Sequence, residues 1–195
     1  MALQSLLPRR LLLATMLVLA SPLRATGQGL AAASRDTLVK AAFLHKFASF
    51  VEWPEGMFAR TDTPLRIGVL GDDLLWRDLS DLARDRDRDG RPVTVVRLDA
   101  NTPLHGFHIL YLKAASPVRV AELVATVPEG VLTVADSEGG MHPRGSVLSF
   151  FLEEDRVRFG VSLQAAARQK LRLNPRLIAA ARQVGLGDDV PTEFA

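Results

Sequence analysis

Arg156-Val157-Arg158-Phe159 alternates charge with apolar bulk. In a strand that alternation sends both guanidiniums to one face, where they either solubilise it or, on a concave surface, bind a carboxylate or other anion. Lys40 falls inside an apolar helical stripe. Its stem can pack while the ammonium reaches water at the first turn, or it lines a ligand or partner site. Phe50 and Trp53 stand at the exit of the same segment, and an aromatic that escapes core cover is the residue type that anchors a protein partner. Phe50, Trp53, Lys40, Arg156 and Arg158 are therefore the candidate partner- or ligand-binding residues.

Enzyme and metal signatures fare worse. Asp85-Arg86-Asp87-Arg88-Asp89-Gly90 opens like a calcium loop, but its twelfth position is Val96 where a bidentate glutamate belongs, and two arginines compete for the carboxylates. Ile67–Asp73 places a glycine turn between strand and helix without the third glycine or the lysine of a phosphate cradle. His105 and His108 point to opposite sides of a strand start, and a zinc or hydrolase site would need His142 and an acid such as Asp136 to converge. G-x-S-x-G is absent, and nothing marks Ser137, Ser146 or Ser149 as an activated nucleophile. No catalytic residue, metal ligand or cofactor is assigned.

Elements must hold these residues in place. Ser34 to Pro54 reads as one helix, with Val39, Phe43, Phe47 and Phe50 on one stripe, Leu44 and Val51 at its border, and Ala41, Ala42, His45, Ala48, Ser49 and Glu52 opposite. Leu65–Leu70, Val93–Leu98, His108–Leu112 and Val131–Val134 read as strands, the first nearly all apolar and so buried on both faces. Helices fall between them, from Leu74 to about Arg84 and from Ser116-Pro117 to about Val127. Asp136–Gly145 is a glycine-rich loop, and its stretch Gly139–Gly145 is a lid or a plain connector. Ser146–Leu152 and Arg156–Val161 form a hairpin across Glu153-Glu154-Asp155. Two short helices follow, from Ser162 and from Asn174-Pro175, the last with Leu177, Ile178, Ala181 and Val184 on one side. The order predicts a single three-layer α/β domain over 34–184: a largely parallel sheet, helices on both faces and a C-terminal β-hairpin. Residues 185–195 read as a flexible tail.

Residues 1–27 read as a cleaved signal peptide: Arg9-Arg10, the apolar run Leu11–Ala20, then small Ala25 and Gly27. Ten apolar residues are too few to span a bilayer. The chain's +2 charge becomes −1 once the three leader arginines are gone, and no basic tract interleaves with aromatics, so nucleic acid is set aside as a partner. The absence of cysteine excludes disulfides, thiol catalysis and a lipid-anchored lipoprotein. The expected location is the periplasm.

Lys40-Ala-Ala-Phe-Leu-His-Lys-Phe47, Val51-Glu-Trp-Pro54, Ile67-Gly-Val-Leu-Gly71, Val131-Leu-Thr-Val134 and Arg156-Val-Arg-Phe159 together resemble the YfiR family of small periplasmic proteins, in order from about Thr37 to Val184. The resemblance implies a regulator, not an enzyme. It would bind, and repress, the periplasmic portion of an inner-membrane signalling protein, a diguanylate cyclase before a sensor kinase, so that release raises cyclic di-GMP and promotes biofilm. It also implies that a homodimer and a small-molecule ligand are within the family's range. The alternative is a periplasmic small-ligand binding protein, accessory to a sensor kinase or transporter. Members often carry cysteines tied to redox sensing; here His108 stands where a cysteine commonly precedes the third strand, so no thiol switch operates. Gly160 and Ser162 replace the acid and asparagine more usual in the family.

Overall fold

The computed structural model describes residues 25–84, 91–136 and 142–185, with 25–32 described by backbone alone. The leader up to residue 24, the calcium-like loop 85–90, loop residues 137–141 and the tail 186–195 lie outside the described residues. The chain divides into two units, Met1–Ala33 and Ser34–Ala195. In the first unit the described residues are the opening turns of a helix; everything below concerns the second.

Helix α1 (Ala25–Phe47) and one 3₁₀ turn (Ala48–Phe50) lead into strand β1 (Val51–Glu52). There follow β2 (Leu65–Leu70), α2 (Asp73–Ala83), β3 (Val93–Leu98), β4 (Ile109–Lys113), α3 (Pro117–Ala125) and β5 (Leu132–Asp136). The chain then runs through β6 (Leu148–Glu153), β7 (Arg156–Ser162), α4 (Leu163–Arg168), β8 (Arg172–Leu173), α5 (Pro175–Ala180) and β9 (Gln183–Gly185). The main sheet has the order β3-β2-β4-β5-β6-β7-β9. Neighbours from β3 to β6 are parallel, β6 and β7 form an antiparallel hairpin, and β9 joins β7 in parallel. Glu154 and Asp155 both take positive φ, 49° and 56°, as a two-residue hairpin turn requires.

Period-two alternation sorts the side chains into two cores. Ile67, Val69, Ile109, Tyr111, Leu132, Val134 and Phe150 face α1, α2, α4 and α5. Leu70, Leu110, Leu112 and Ala135 face α3 through Val120 and Val124. The architecture is thus the expected three-layer α/β domain with a mostly parallel sheet. Asp72 and Ser116 cap α2 and α3 by accepting from Leu75 N–H at 3.0 Å and Arg119 N–H at 3.2 Å. Gly71 is required: φ is +82°, and a Cβ there would lie 2.1 Å from the Lys113 carbonyl oxygen.

Three expectations are corrected. The opening helix stops at Phe47, because Val51-Glu52 pairs antiparallel with β8 and Pro54 already holds Trp53 out of helical conformation. Its buried face is turned by about a third of a turn from the aromatic stripe: Lys40, Ala41, Leu44, His45, Phe47 and Ala48 are buried, while Val39 is 37% exposed. Small Ala41 and Ala48 bring the helix close to the sheet. Phe43 and Phe47 still reach Phe159, with ring centroids 5.5 and 5.2 Å away. Lastly, Val184 does not extend the final helix. Ala181 is extended (ψ 141°), and Val184 sits in β9, which covers the free edge of β7.

Phe47 is fully buried and stacks on Phe43 and Phe150 at 5.8 Å each. Phe47→Ala should cost about 3–5 kcal/mol in denaturant unfolding; a loss under about 1 kcal/mol would show that α1 does not close this core.

Candidate functional site

In an open parallel sheet the polar chemistry gathers where strand order reverses, beyond the carboxyl ends of the strands. Here that point lies between β2 and β4, since α2 carries the chain outward to β3 before it returns to β4. Beyond those ends the fold gathers Asp72 after β2, Tyr111 and Lys113 on β4, and Asp136 closing β5. Lys40 descends on them from α1: its Nζ donates to Asp136 Oδ2 at 2.6 Å, and the Tyr111 hydroxyl donates to the same oxygen. Both members of the ion pair are about nine-tenths buried. Burial, then the Asp136 charge, push the Tyr111 phenol well above its usual range, so it remains a donor. Lys113 Nζ lies 3.6 Å from Asp72 at the rim. Lys40 therefore packs its stem as expected, but its ammonium points inward to a carboxylate, not out to water.

Trp53 and Phe50 lie towards the opposite, amino-terminal ends of the strands. Trp53 is half-buried, edge-on to Phe58 at 5.7 Å, and Phe58 stacks on His108 at 4.2 Å. Arg91 caps Phe58 with its guanidinium 4.1 Å from the ring centre. The Trp53 indole N–H is shielded from water and meets no acceptor among the described residues. His108 accepts from Arg66 N–H through Nδ1 at 3.0 Å and donates from Nε2 to the Met57 carbonyl at 3.2 Å, so its ring is neutral. His105 is exposed and does not join it. Phe50 is half-buried against the α1-side core, and its carbonyl accepts from Asn174 N–H at 2.8 Å.

Arg156 and Arg158 share one face of β7, as alternation requires. Arg156 is exposed at the hairpin tip; Arg158 lies 3.7 Å from Glu153, which also receives Arg182 at 2.9 Å. The five candidate residues thus fall into separate places: Lys40 at the carboxyl strand ends, Phe50 and Trp53 at the amino ends, the two arginines on the hairpin.

His142 does meet serines. Nδ1 lies 2.6 Å from Ser149 Oγ, and Nε2 donates to the Ser146 carbonyl at 2.8 Å. All three residues are buried, and Asp136 is occupied by Lys40 and Tyr111, so His142 and Asp136 do not converge. The cluster fastens the chain entering β6. Among the described residues no group of three His, Asp or Glu is placed to hold a metal ion, and no helix is long and apolar enough to cross a membrane. Tyr111 escaped the sequence reading, although a lone tyrosine in the apolar run HILYL was a visible signal, and Asp136 entered it only as an acid for His142.

Two predictions follow from this geometry. Lys40→Met strands a buried carboxylate and should cost about 3–5 kcal/mol, whereas Lys40→Met with Asp136→Leu should cost no more than either single change; additive losses in denaturant unfolding would refute the coupling. Burial lowers the pKa of both His108 and His142, each opposed in part by the carbonyl its ring donates to. The folded state therefore prefers neutral rings. The stability this contributes is complete above the ordinary histidine value of about 6.5 and is lost as pH falls from there through the depressed folded values. Unfolding free energy should drop between pH 7 and pH 5, with a shallower slope in His142→Gln; equal slopes would show that His142 titrates alike in both states.

No curated protein matches the chain. A family model described as YfiR/HmsC-like matches residues 37–182, which takes in every element from the second half of α1 to the threshold of β9. That span is most of the 195-residue chain, and the protein is a member of the YfiR/HmsC-like family.

Proposed function

We propose that this protein is an exported periplasmic regulator that binds, and represses, the periplasmic portion of an inner-membrane signalling protein, most specifically a diguanylate cyclase, and so lowers cyclic di-GMP and restrains biofilm. The observation that carries the reading is the family match across residues 37–182, a regulatory family and not a catalytic one. The interior supports it. Among the described residues the Ser149–His142 contact is buried, and Asp136, the acid the sequence offered to His142, is neutralised by Lys40. The chain works by contact, without bond-breaking of its own.

Trp53, flanked by Phe50 on the chain, is the proposed anchor. A half-buried indole set beside Phe58 and Arg91 offers a partner the apolar and cationic edge of an aromatic cluster. Arg158, the polar element expected from the sequence, lies apart from Trp53 on the hairpin and is matched to Glu153, so it is left out of this anchor. The alternative reading, a small-ligand accessory protein, draws on Arg156 and Arg158, but Glu153 already neutralises the second.

The test is capture of the cyclase's purified periplasmic domain by full-length protein. Trp53→Ala should weaken capture by about 2 kcal/mol or more, roughly thirtyfold, with the fold retained. Trp53→Phe keeps the ring packing and removes the donor; an unchanged affinity there means the indole N–H is not used. If Trp53→Ala unfolds the chain, Trp53 belongs to the core and the anchor lies elsewhere.

A further inference from the structure

Helix α1 buries one side, and its opposite side is not simply a solvated face. Between it and the end of α2 lies a groove of about 440 Å³, walled by Leu38, Val39 and Phe43 of α1 and by Leu82 of α2. Leu38 is 55% exposed and Val39 37%, so apolar surface is offered to whatever enters. Arg35 and Lys46 also line it, and among the described residues no carboxylate does. They stand eleven residues apart on one helix, which places them about 20° apart around its axis and about 16 Å apart along it. Neither makes an ion pair among the described residues, whereas six other exposed arginines, Arg60, Arg84, Arg97, Arg119, Arg172 and Arg182, are each matched to an acid. Lys46 also suits the negative end of α1; Arg35, at the other end of the groove, has no such role. The sequence reading missed the feature because it placed Val39 and Phe43 in the middle of the buried stripe.

We propose that this groove docks an acidic amphipathic helix from a partner protein, a second contact surface distinct from the Trp53 end. The occupant presents apolar residues at i, i+3, i+4 and i+7 to Leu38, Val39, Phe43 and Leu82. It carries a carboxylate near each end, about three turns apart, to meet Arg35 and Lys46. The geometry favours this occupant over three others. A second copy of the chain would set its own α1 stripe in the groove, bringing arginine or lysine against arginine or lysine in either orientation. A bilayer is flat or convex on this scale and cannot fill a concave channel between two helices. A small carboxylate could satisfy one cation but not span some 16 Å to the other.

The inference rests on the regulatory reading for the identity of its partner, but not for its geometry, and the test separates the two. An 18-residue helical peptide with leucines on one stripe and a glutamate at each end of it is titrated against full-length protein by fluorescence anisotropy. The same peptide with lysines in place of the glutamates is the control. The acidic peptide should bind, and weaken as salt rises; Arg35→Glu with Lys46→Glu should weaken it about tenfold or more and reverse the preference, and Val39→Asp should abolish both. Equal binding of the two peptides, or indifference to the charge reversal, overturns the proposal. So does a dimer in sedimentation that Val39→Asp dissolves, which would make the occupant a second copy, or flotation with phosphatidylglycerol vesicles that the charge reversal abolishes, which would make it a membrane. In cells lacking the protein, wild type should lower cyclic di-GMP and the charge-reversed variant should not. If wild type itself has no effect on cyclic di-GMP the regulatory reading falls, while the peptide titration still decides the groove.

Discussion

The orientation of the whole first helix depends on one buried ion pair, Lys40 with Asp136. An ammonium carried beneath a helix against a sheet must find a carboxylate or keep the helix lifted, because an uncompensated charge there costs several kcal/mol. Asp136 is the last residue of β5, in the middle of the sheet, and Tyr111 on the neighbouring strand donates to the same oxygen. Together they fix where along the strands α1 lies and which of its sides points down. The aromatic stripe would by itself have chosen a different rotation. It yields because Phe43 and Phe47 reach Phe150 and Phe159 from the edge of the contact, so little aromatic burial is sacrificed by turning the helix.

The consequence is a division of labour around α1. Its inner side carries Ala41, Leu44 and Ala48, small or flexible residues that permit close approach, and the single charge that the sheet can neutralise. Its outer side keeps Leu38 and Val39 with two cations that have no ion-pair partner among the described residues. Satisfying Lys40 internally is what leaves the outer side free of structural duty. The small paired strands β1 and β8 then peel the chain away from the helix axis, which carries Trp53 to the far end of the sheet and separates it from Lys40, although only twelve residues lie between them.

Much of the fold was legible because strand periodicity and helix caps act locally. LRIGVL, HILYL and the Ser116-Pro117 start stand within a residue or two of where the sequence put them, and the turn at Glu154-Asp155 lies where two β runs met. What was not legible depended on contacts far apart in the chain. The pairing of β1 with β8 joins residues some 120 positions apart, and β9 exists because the hairpin leaves an edge to cover, a fact that no local pattern in Gln183-Val184-Gly185 announces. The site fared the same way. Lys40 was singled out for being a charge inside an apolar stripe, which was sound; its acceptor lay 96 residues away and could not be named from spacing.

The same constraint bears on how such a protein could signal without cysteine. A thiol switch stores its state in a covalent bond, whereas this chain must store any state in packing and charge. The buried ion pair is a poor candidate for a reversible element, since opening it exposes two charges to an apolar interface. The outer side of α1 is a better one: its cations have no ion-pair partner among the described residues, its apolar residues are already in contact with solvent, and a helix laid along it would add burial without disturbing Lys40. His108 makes two hydrogen bonds through a neutral ring and so fastens β4 to the backbone of β2 and of the loop at Met57. Regulation, on this account, is left to surfaces that the core does not need.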